Sequence, residues 1–410
     1  MIPMNTPSRS IFAAFVLSSI PALAEEKWTP LLAGNDFTGW SQKGGKADYA
    51  ISNGVVTGKS VLNTPNSFMC TDRNYGDFVL EYEFKVDERL NSGVQIRSNS
   101  LPEYHKGQVH GYQVEIDPDV KRGRLWSAGI YDEGRRGWLN PLDKPEHEAV
   151  RKALKPGDWN KVRVEATGPQ LRTWLNDVSA ADLVDSLTQT GFIGLQVHGV
   201  GAEKSHEGLA VEWRGLRIQD LGHHEWHPLM AGNSLKGFTP TPGGKWEMTG
   251  GVLTGTSPAS EPKHGILLSE KNYGDFCIRF QFRVTSGNSG FYFRCEPVVD
   301  AVAVAGFQAE VDDKMDTGGI YETGGRGWVA QVDLAKIGDA KQPIYKPGEW
   351  AEMVVTTLGD RYVIHVNGQR TVDIHDPKGR REGRLGFQLH GGMEMKVEYK
   401  DLQILLPVKP

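Results

Sequence analysis

The chain is poor in sulfur: Cys70, Cys277 and Cys295 are its only cysteines in 410 residues. Their spacings match no metal site, and an odd number cannot pair completely. Disulfides therefore do not hold the protein together, and each thiol reads as a buried structural one. An excess of one charge is also missing. Lys and Arg number 46 against 51 Asp and Glu, a formal net charge of −5. With no basic stripe and no charge block, nucleic acid and membrane surfaces drop out as partners. Long apolar runs are lacking too. The stretch from Ile11 to Ile20 is well short of the roughly 20 residues that span a bilayer, and no later segment is long enough. A Gly-rich phosphate loop, a G-x-S-x-G elbow and an H-E-x-x-H helix are all absent, which removes nucleotide, serine-hydrolase and zincin chemistry. Long amphipathic helices are missing as well; the best candidate, Glu146 to Leu154, is short.

What is present begins with an export signal. Arg9 precedes the apolar run, and Pro21 and Ala22-Leu23-Ala24 close it, so residues 1–24 read as a secretory signal peptide cleaved after Ala24. The mature protein is then periplasmic or extracellular. The rest is a tandem repeat. Asn74-Tyr75-Gly76-Asp77-Phe78 returns unchanged as Asn272-Tyr273-Gly274-Asp275-Phe276, and Asn91-Ser92-Gly93 returns as Asn288-Ser289-Gly290. Gly111-Tyr112-Gln113-Val114-Glu115-Ile116-Asp117 is answered by Gly306-Phe307-Gln308-Ala309-Glu310-Val311-Asp312, and Gln196-Val197-His198-Gly199 by Gln388-Leu389-His390-Gly391. The order is kept throughout, which predicts two domains, 25–221 and 222–410, with the boundary near Leu221-Gly222-His223-His224. The histidines there and His227 resemble a metal tract only loosely, since no acidic or thiol partner lies in ligand spacing, and they read as linker.

Within each copy the pattern is strand and turn. Residues 78–86, 161–165 and 362–366 alternate with period two, and Asn367-Gly368 is a hairpin signal. Many short strands over about 190 residues predict an all-β fold, two tandem β-sandwiches of jelly-roll type. Alternation also assigns faces. Gln113, Glu115 and Asp117 share one side of their strand, as do Gln95 with Arg97 and Gln196 with His198. Gln308, Glu310, Asp312, Arg294, Gln388 and His390 repeat the arrangement in the second copy, with Tyr292 in place of Gln95. If these strands are neighbours, one face carries amides, an Arg, carboxylates and a His. Planar amides and carboxylates suit sugar hydroxyls, and a His transfers protons near neutral pH. Two carboxylates at i and i+2 disfavour each other's ionisation, so one is raised toward acid or base duty. Tyr131 and the Arg136-Gly137-Trp138 loop, with Tyr321 and Arg326-Gly327-Trp328 in the second copy, offer an aromatic platform and a clamp, or equally a loop staple. Trp159 and Trp350 read as core residues at strand starts.

Several of these motifs together resemble a known family. The opening Leu31 to Trp40, Tyr75-Gly76-Asp77-Phe78, residues 91–97 and 111–117, Gly129-Ile130-Tyr131 and Gly157-Asp158-Trp159-Asn160 are similar to the 3-keto-disaccharide hydrolase domain, itself similar to concanavalin A-like lectins and glucanases. The resemblance covers nearly all the mature chain, twice. It implies a concanavalin A-like jelly roll, export, and action on oxidised glycosides or disaccharides. The second copy departs from the pattern: Phe238 stands for Trp40, Tyr292 for Gln95, and Val302-Ala303-Val304-Ala305 for the more polar stretch 106–109. The first copy is the closer match.

A ketone at C3 of a sugar acidifies the C2 proton and places the C1 oxygen β to the carbonyl. Cleavage then needs a base, an acid and a group that polarises the ketone. The expected proton-transfer residues are Glu115, Asp117 and His198, with Glu310, Asp312 and His390 in the second copy. Arg97, Gln113 and Tyr131 orient the ketone and hydroxyls, and Gln95, Gln196, Arg136, Arg294, Gln308, Tyr321 and Gln388 complete the binding set. A divalent cation held by Glu115, Asp117 and His198 would polarise the ketone instead. Two other readings stand beside this one. A tandem carbohydrate-binding protein would gain avidity from two sites. An endo-glucanase similar to family 16 of the glycoside hydrolases is disfavoured because position 120 is Val120 and its counterpart Met315, where that family has its second Glu.

Overall fold

The computed structural model describes residues 27–408 apart from 33, 120, 122, 300, 301, 314, 315, 335, 336, 340 and 341. The signal-peptide expectation lies outside the described residues. Alternating strands with one apolar face can bury that face only against a second sheet, and each copy does so. Its front sheet has seven strands. In the first copy their spatial order is Gly137–Asn140, Ile130–Glu133, His110–Ile116, Ser92–Asn99, Phe192–Val197, Ser67–Thr71 and Trp40–Gly44. The second copy has the same order: Gly327–Ala330, Ile320–Thr323, Val304–Asp312, Asn288–Pro297, Gly383–Leu389, Gly265–Tyr273 and Phe238–Pro240. Behind each lies a back sheet, and the interior between them is apolar. Tyr82, Phe84, Val94, Ile96, Tyr112 and Val114 belong to the first core, and Phe280, Phe282, Phe291, Phe307 and Ala309 to the second. Both copies are jelly-roll sandwiches, and the chain is nearly all β. Among the described residues no helix is long and apolar enough to cross a membrane.

Local sequence explains the elements. Asn367 and Gly368 take φ of 47° and 75°, the left-handed pair that a two-residue hairpin requires between Arg361–Val366 and Gln369–His375. The short helical stretch is a 3-10 turn at Pro145–His147 followed by one α-helix, Glu148–Ala153. Three buried free cysteines match the structural reading of the thiols. The tryptophans after Lys-Pro-Gly do not: Trp159 and Trp350 lie outside the core, on the outer side of the back sheets. Arg214 and Lys85 stack on Trp159, at 4.1 and 5.6 Å, and Lys400 and Arg283 on Trp350, at 4.2 and 4.8 Å. The indoles are covered by cation–π contacts and alkyl stems rather than by the sandwich interior.

The inter-copy boundary is not a loop. Leu221 to His224 sits inside one long strand, Ala210–Pro228. Its first part pairs with Asp77–Val86 of the first copy, and residues 223–228 pair with 403–408 of the second. The two back sheets thereby become a single sheet of fifteen strands. Two polar contacts reinforce the join. His224 Nδ1 lies 2.6 Å from Asp77 Oδ2, and Arg361 donates to Asp182 Oδ1 at 2.7 Å.

Candidate functional site

In the first copy, three adjacent front strands converge on Glu115. Tyr112, Val114 and Ile116 point into the core, so Gln113 and Glu115 project from the opposite face. Gln113 Nε2 donates to Glu115 Oε2 at 2.8 Å, and Asn91 Nδ2 donates to Glu115 Oε1 at 2.7 Å. Gln95 Nε2 donates to Gln113 Oε1 at 2.5 Å, and Ser98 Oγ to Gln95 Oε1 at 2.7 Å, fixing each amide's orientation from below. Gln95 is fully buried and serves as that support. Burial pushes the Glu115 carboxyl up to about 8; the amide donors of Gln113 and Asn91 oppose the rise, while Asp117 and Glu133 add to it.

Above this floor is a cavity of about 300 Å³, lined by Asn66, Asn91, Gln113, Glu115, Arg124, Tyr131, Glu133, Trp138 and His198. Of the residues expected from the sequence, Gln113, Glu115, Tyr131 and His198 meet there. Tyr131 packs edge-on to Trp138 with centroids 5.4 Å apart, and both rings line the cavity. His198 is exposed at the rim, its Nδ1 2.8 Å from the Gly199 carbonyl oxygen. Four lining residues were not anticipated. Glu133 lies two positions from Tyr131 on the same face, a signal that alternation carries. Asn91 opens the repeated Asn-Ser-Gly motif. Asn66 comes from a segment remote in sequence and Arg124 from the two-residue strand Arg124–Leu125 that folds back on Pro118–Asp119, and nothing local marks them.

Other expected residues lie elsewhere. Arg97 has φ of 46° at a bulge, and the register shifts between Ile96 and Asn99. The bulge breaks the alternation and turns the guanidinium into the protein. There it is fully buried, donating to Gly76 O at 2.7 Å, Gly168 O at 2.6 Å and Asp77 Oδ1 at 2.9 Å. Arg294 repeats this, with φ of 49° and bonds to Gly274 O, Gly359 O, Arg380 O and Asp275 Oδ1. Both arginines are structural. Arg136 is bound by Asp132 at 2.6 Å and Asp185 at 2.9 Å and does not line the cavity. Asp117 lies past the strand end and accepts a bond from Arg124 Nε at 2.9 Å, so its carboxylate faces that guanidinium and not Glu115's cavity. Burial raises the Asp117 carboxyl while Arg124 opposes. Gln196 is on the front face, opposite the core-facing Leu195 and Val197, but is fully buried outside the cavity lining, and its amide has no hydrogen-bond partner among the described residues. The trio Glu115, Asp117 and His198 is therefore not assembled as a ligand set, and no group of three His, Cys, Asp or Glu among the described residues is placed to hold a metal ion.

The second copy keeps the floor and changes the walls. Asn288 and Gln308 donate to Glu310, whose carboxyl burial lifts to about 8. Gln308 Nε2 donates to Gln388 Oε1 (3.2 Å), Gln388 Nε2 donates to Tyr292 Oη (3.2 Å) and lies 3.1 Å from His264 Nδ1, and the rings of His264 and His390 lie 4.3 Å apart. Asp312 lines this cavity, where its Oδ1 accepts from Thr317 at 2.9 Å. Tyr321 and Trp328 form its rim and are 36% and 38% exposed. The cavity measures about 660 Å³. Thr323 stands at the Glu133 position, and 313–317 replaces the longer segment that supplies Arg124 to the first cavity.

Comparison with known proteins agrees with this duplicated plan. Residues 27–219 and 225–405 each match the family profile described as the 3-keto-alpha-glucoside-1,2-lyase-like domain. No curated protein matches the chain. Among solved structures, a Parabacteroides distasonis protein provisionally assigned as a glycosyl hydrolase is 20% identical, covering 47% of this chain and 94% of its own, with a TM-score of 0.34. The carbohydrate-binding module CBM66 from Bacillus subtilis is 21% identical over 43% of this chain and 98% of its own, TM-score 0.33. A Bacillus subtilis protein of unknown function with a galectin-like fold is 11% identical over 47% and 94%, TM-score 0.35.

Proposed function

Because the chain belongs, in both of its halves, to the 3-keto-alpha-glucoside-1,2-lyase-like domain family, we propose that it is an exported enzyme that cleaves the glycosidic bond of 3-keto-glycosides by elimination and hydration. The family's description names a sugar as the reacting molecule. The observation that carries the reading is Glu115, a buried carboxyl held by two amides at the floor of a sugar-sized cavity and protonated up to about pH 8. A neutral carboxyl in an apolar setting donates a hydrogen bond where charge develops.

The roles follow from the chemistry. Glu115 donates to the C3 ketone oxygen. His198 takes the C2 proton, the C–H electron pair forms the C1=C2 double bond, and the C1–O bond breaks with its pair leaving on oxygen. Gln113 and Tyr131 orient the ring hydroxyls. Water then adds across C1=C2, hydroxyl to C1 and proton to C2, so that the sum is hydrolysis. A second reading, binding without cleavage, draws on the second copy, where Tyr321 and Trp328 offer a stacking surface and Thr323 replaces a carboxylate.

The test is incubation of the mature protein with a 3-keto-disaccharide and its unoxidised parent, in chelator and with divalent ions added back. Cleavage of the oxidised sugar alone supports the enzyme. Release of nothing under any condition, with binding retained, moves the assignment to a tandem binding protein. Loss of activity in chelator, restored by added ion, would bring a metal into the reaction. N-terminal sequencing of the secreted product checks export, with Glu25 expected first.

A further inference from the structure

The first copy has a second cavity, of about 740 Å³, adjoining the first. Thr64, Phe68 and the loop His105–Val109 line it, and it shares two residues with the inner chamber, Asn66 and Glu133. These two form a hydrogen-bonded threshold between the spaces. Asn66 Oδ1 accepts from Gly199 N at 2.8 Å, which fixes its amide, and Asn66 Nδ2 donates to Glu133 Oε1 at 3.1 Å. Glu133 Oε2 has no hydrogen bond among the described residues. Burial raises the Glu133 carboxyl, with Asn66 and His198 opposing.

We propose that this outer cleft holds the leaving-group sugar and that Glu133 protonates the departing oxygen. The inference rests on the keto-glycoside reading above. A disaccharide lying across the threshold places its keto ring over Glu115, its second ring in the outer cleft and its bridging oxygen beside Glu133. Elimination leaves an electron pair on that oxygen, and a sugar alkoxide departs poorly unless a proton arrives as the bond breaks. As C1–O breaks, the oxygen takes the Glu133 proton, and the resulting carboxylate regains one from water in the open cleft.

The cleft is preorganised for such a guest. His105, Lys106 and Gly107 hold consecutive left-handed φ values of 43°, 60° and 87°. Ser100 Oγ pins the turn through Gly107 O at 2.6 Å, and Tyr104 Oη through Gly134 O at 2.6 Å. Exposed Lys106 and Gln108 supply polar groups for hydroxyls, and Phe68 an apolar wall. The second copy is an internal contrast. It has Thr323 for Glu133, His264 for Asn66, and eight residues, 298–305, in place of the ten at 101–110. Its front face carries the cavity of about 660 Å³ described above, whose lining has neither a carboxyl at the Glu133 position nor an asparagine at the threshold.

Substrates that share one 3-keto ring and differ in leaving group separate the possibilities. For Glu133→Gln, which keeps the acceptor for Asn66, kcat should fall about 100-fold or more on the disaccharide. On the p-nitrophenyl 3-keto-glucoside, whose phenolate departs without a proton, it should fall only a few-fold. Equal losses on both overturn the role of Glu133. For Lys106→Ala/Gln108→Ala, KM should rise about tenfold for the disaccharide and stay unchanged for the methyl 3-keto-glucoside; no difference between the two overturns the cleft. If the wild type cleaves no keto-glycoside, the parent reading fails, and calorimetric titration still decides the cleft. Tighter binding of disaccharide than of monosaccharide, abolished in the Lys106/Gln108 variant, supports it, and equal binding in wild type overturns it.

Discussion

Glu115 is a residue whose surroundings oppose one another. Two amide donors favour its anion and burial disfavours it, and burial wins, moving the carboxyl from 4.5 to about 8. Activity should therefore decline as pH rises through about 8, when the proton on Glu115 is lost. Glu115→Gln keeps the shape but replaces the acidic O–H donor to the ketone oxygen with a far weaker amide donor, and kcat on a 3-keto-disaccharide should drop about 100-fold. The same shift links to stability. Between 4.5 and about 8 the folded protein holds a proton that the unfolded chain has released, so stability falls as pH rises through this window and levels off above it. Glu310 adds an equal dependence. The double variant Glu115→Gln/Glu310→Gln should thus lose less stability between pH 5 and pH 8 than the wild type, by up to about 1.4 kcal/mol per pH unit per carboxyl. Urea midpoints at the two pH values measure it, and identical slopes would contradict the burial account.

At the scale of the element, alternation serves as far as the strand stays regular. It assigned Gln113 and Glu115 to the polar face, and the sheet keeps them there. It failed at Arg97, where a bulge rotates the chain and puts a guanidinium under the turn carbonyls of Gly76 and Gly168. Its repetition at Arg294 marked a need of the fold, not of the chemistry. Arg97→Lys should cost roughly 3 kcal/mol or more, because an ammonium cannot satisfy Asp77 and two carbonyls in one plane. The kcat/KM of the folded enzyme should stay within about twofold, a direct contrast with Glu115→Gln. Chemical denaturation and steady-state kinetics on the same preparation test both halves. Trp159 and Trp350 fail for a related reason: the sequence marks them as large and apolar, but cations on the outer face shelter each indole in part, without placing it in the core.

At the scale of the whole molecule, the two copies are joined by a strand rather than a tether. Ala210–Pro228 pairs along most of its length with the first copy and through its last six residues, 223–228, with the second, and His224–Asp77 and Arg361–Asp182 clamp the join. Such a shared sheet should make the copies unfold together. The wild type should give one calorimetric transition, and His224→Ala/Arg361→Ala should separate it into two, losing about 1–3 kcal/mol of coupling. A single transition retained in the double variant would assign the coupling to backbone pairing alone. The repeat itself shows where divergence was tolerated. The Gln–Glu floor survives in both copies, while the walls that divide the first cavity are altered in the second.

Period-two patterning and repetition were enough to read a duplicated sandwich and to bring Gln113, Glu115, Tyr131 and His198 to one site, because strand faces follow directly from chain geometry. Which of the remaining polar residues join them depended on bulges, loop paths and partners distant in the chain. Asn66 meets Glu133 across 67 positions, Arg124 withdraws Asp117, and Asp185 withdraws Arg136. Those pairings are set by three-dimensional packing and charge compensation, and only the tertiary structure decided them.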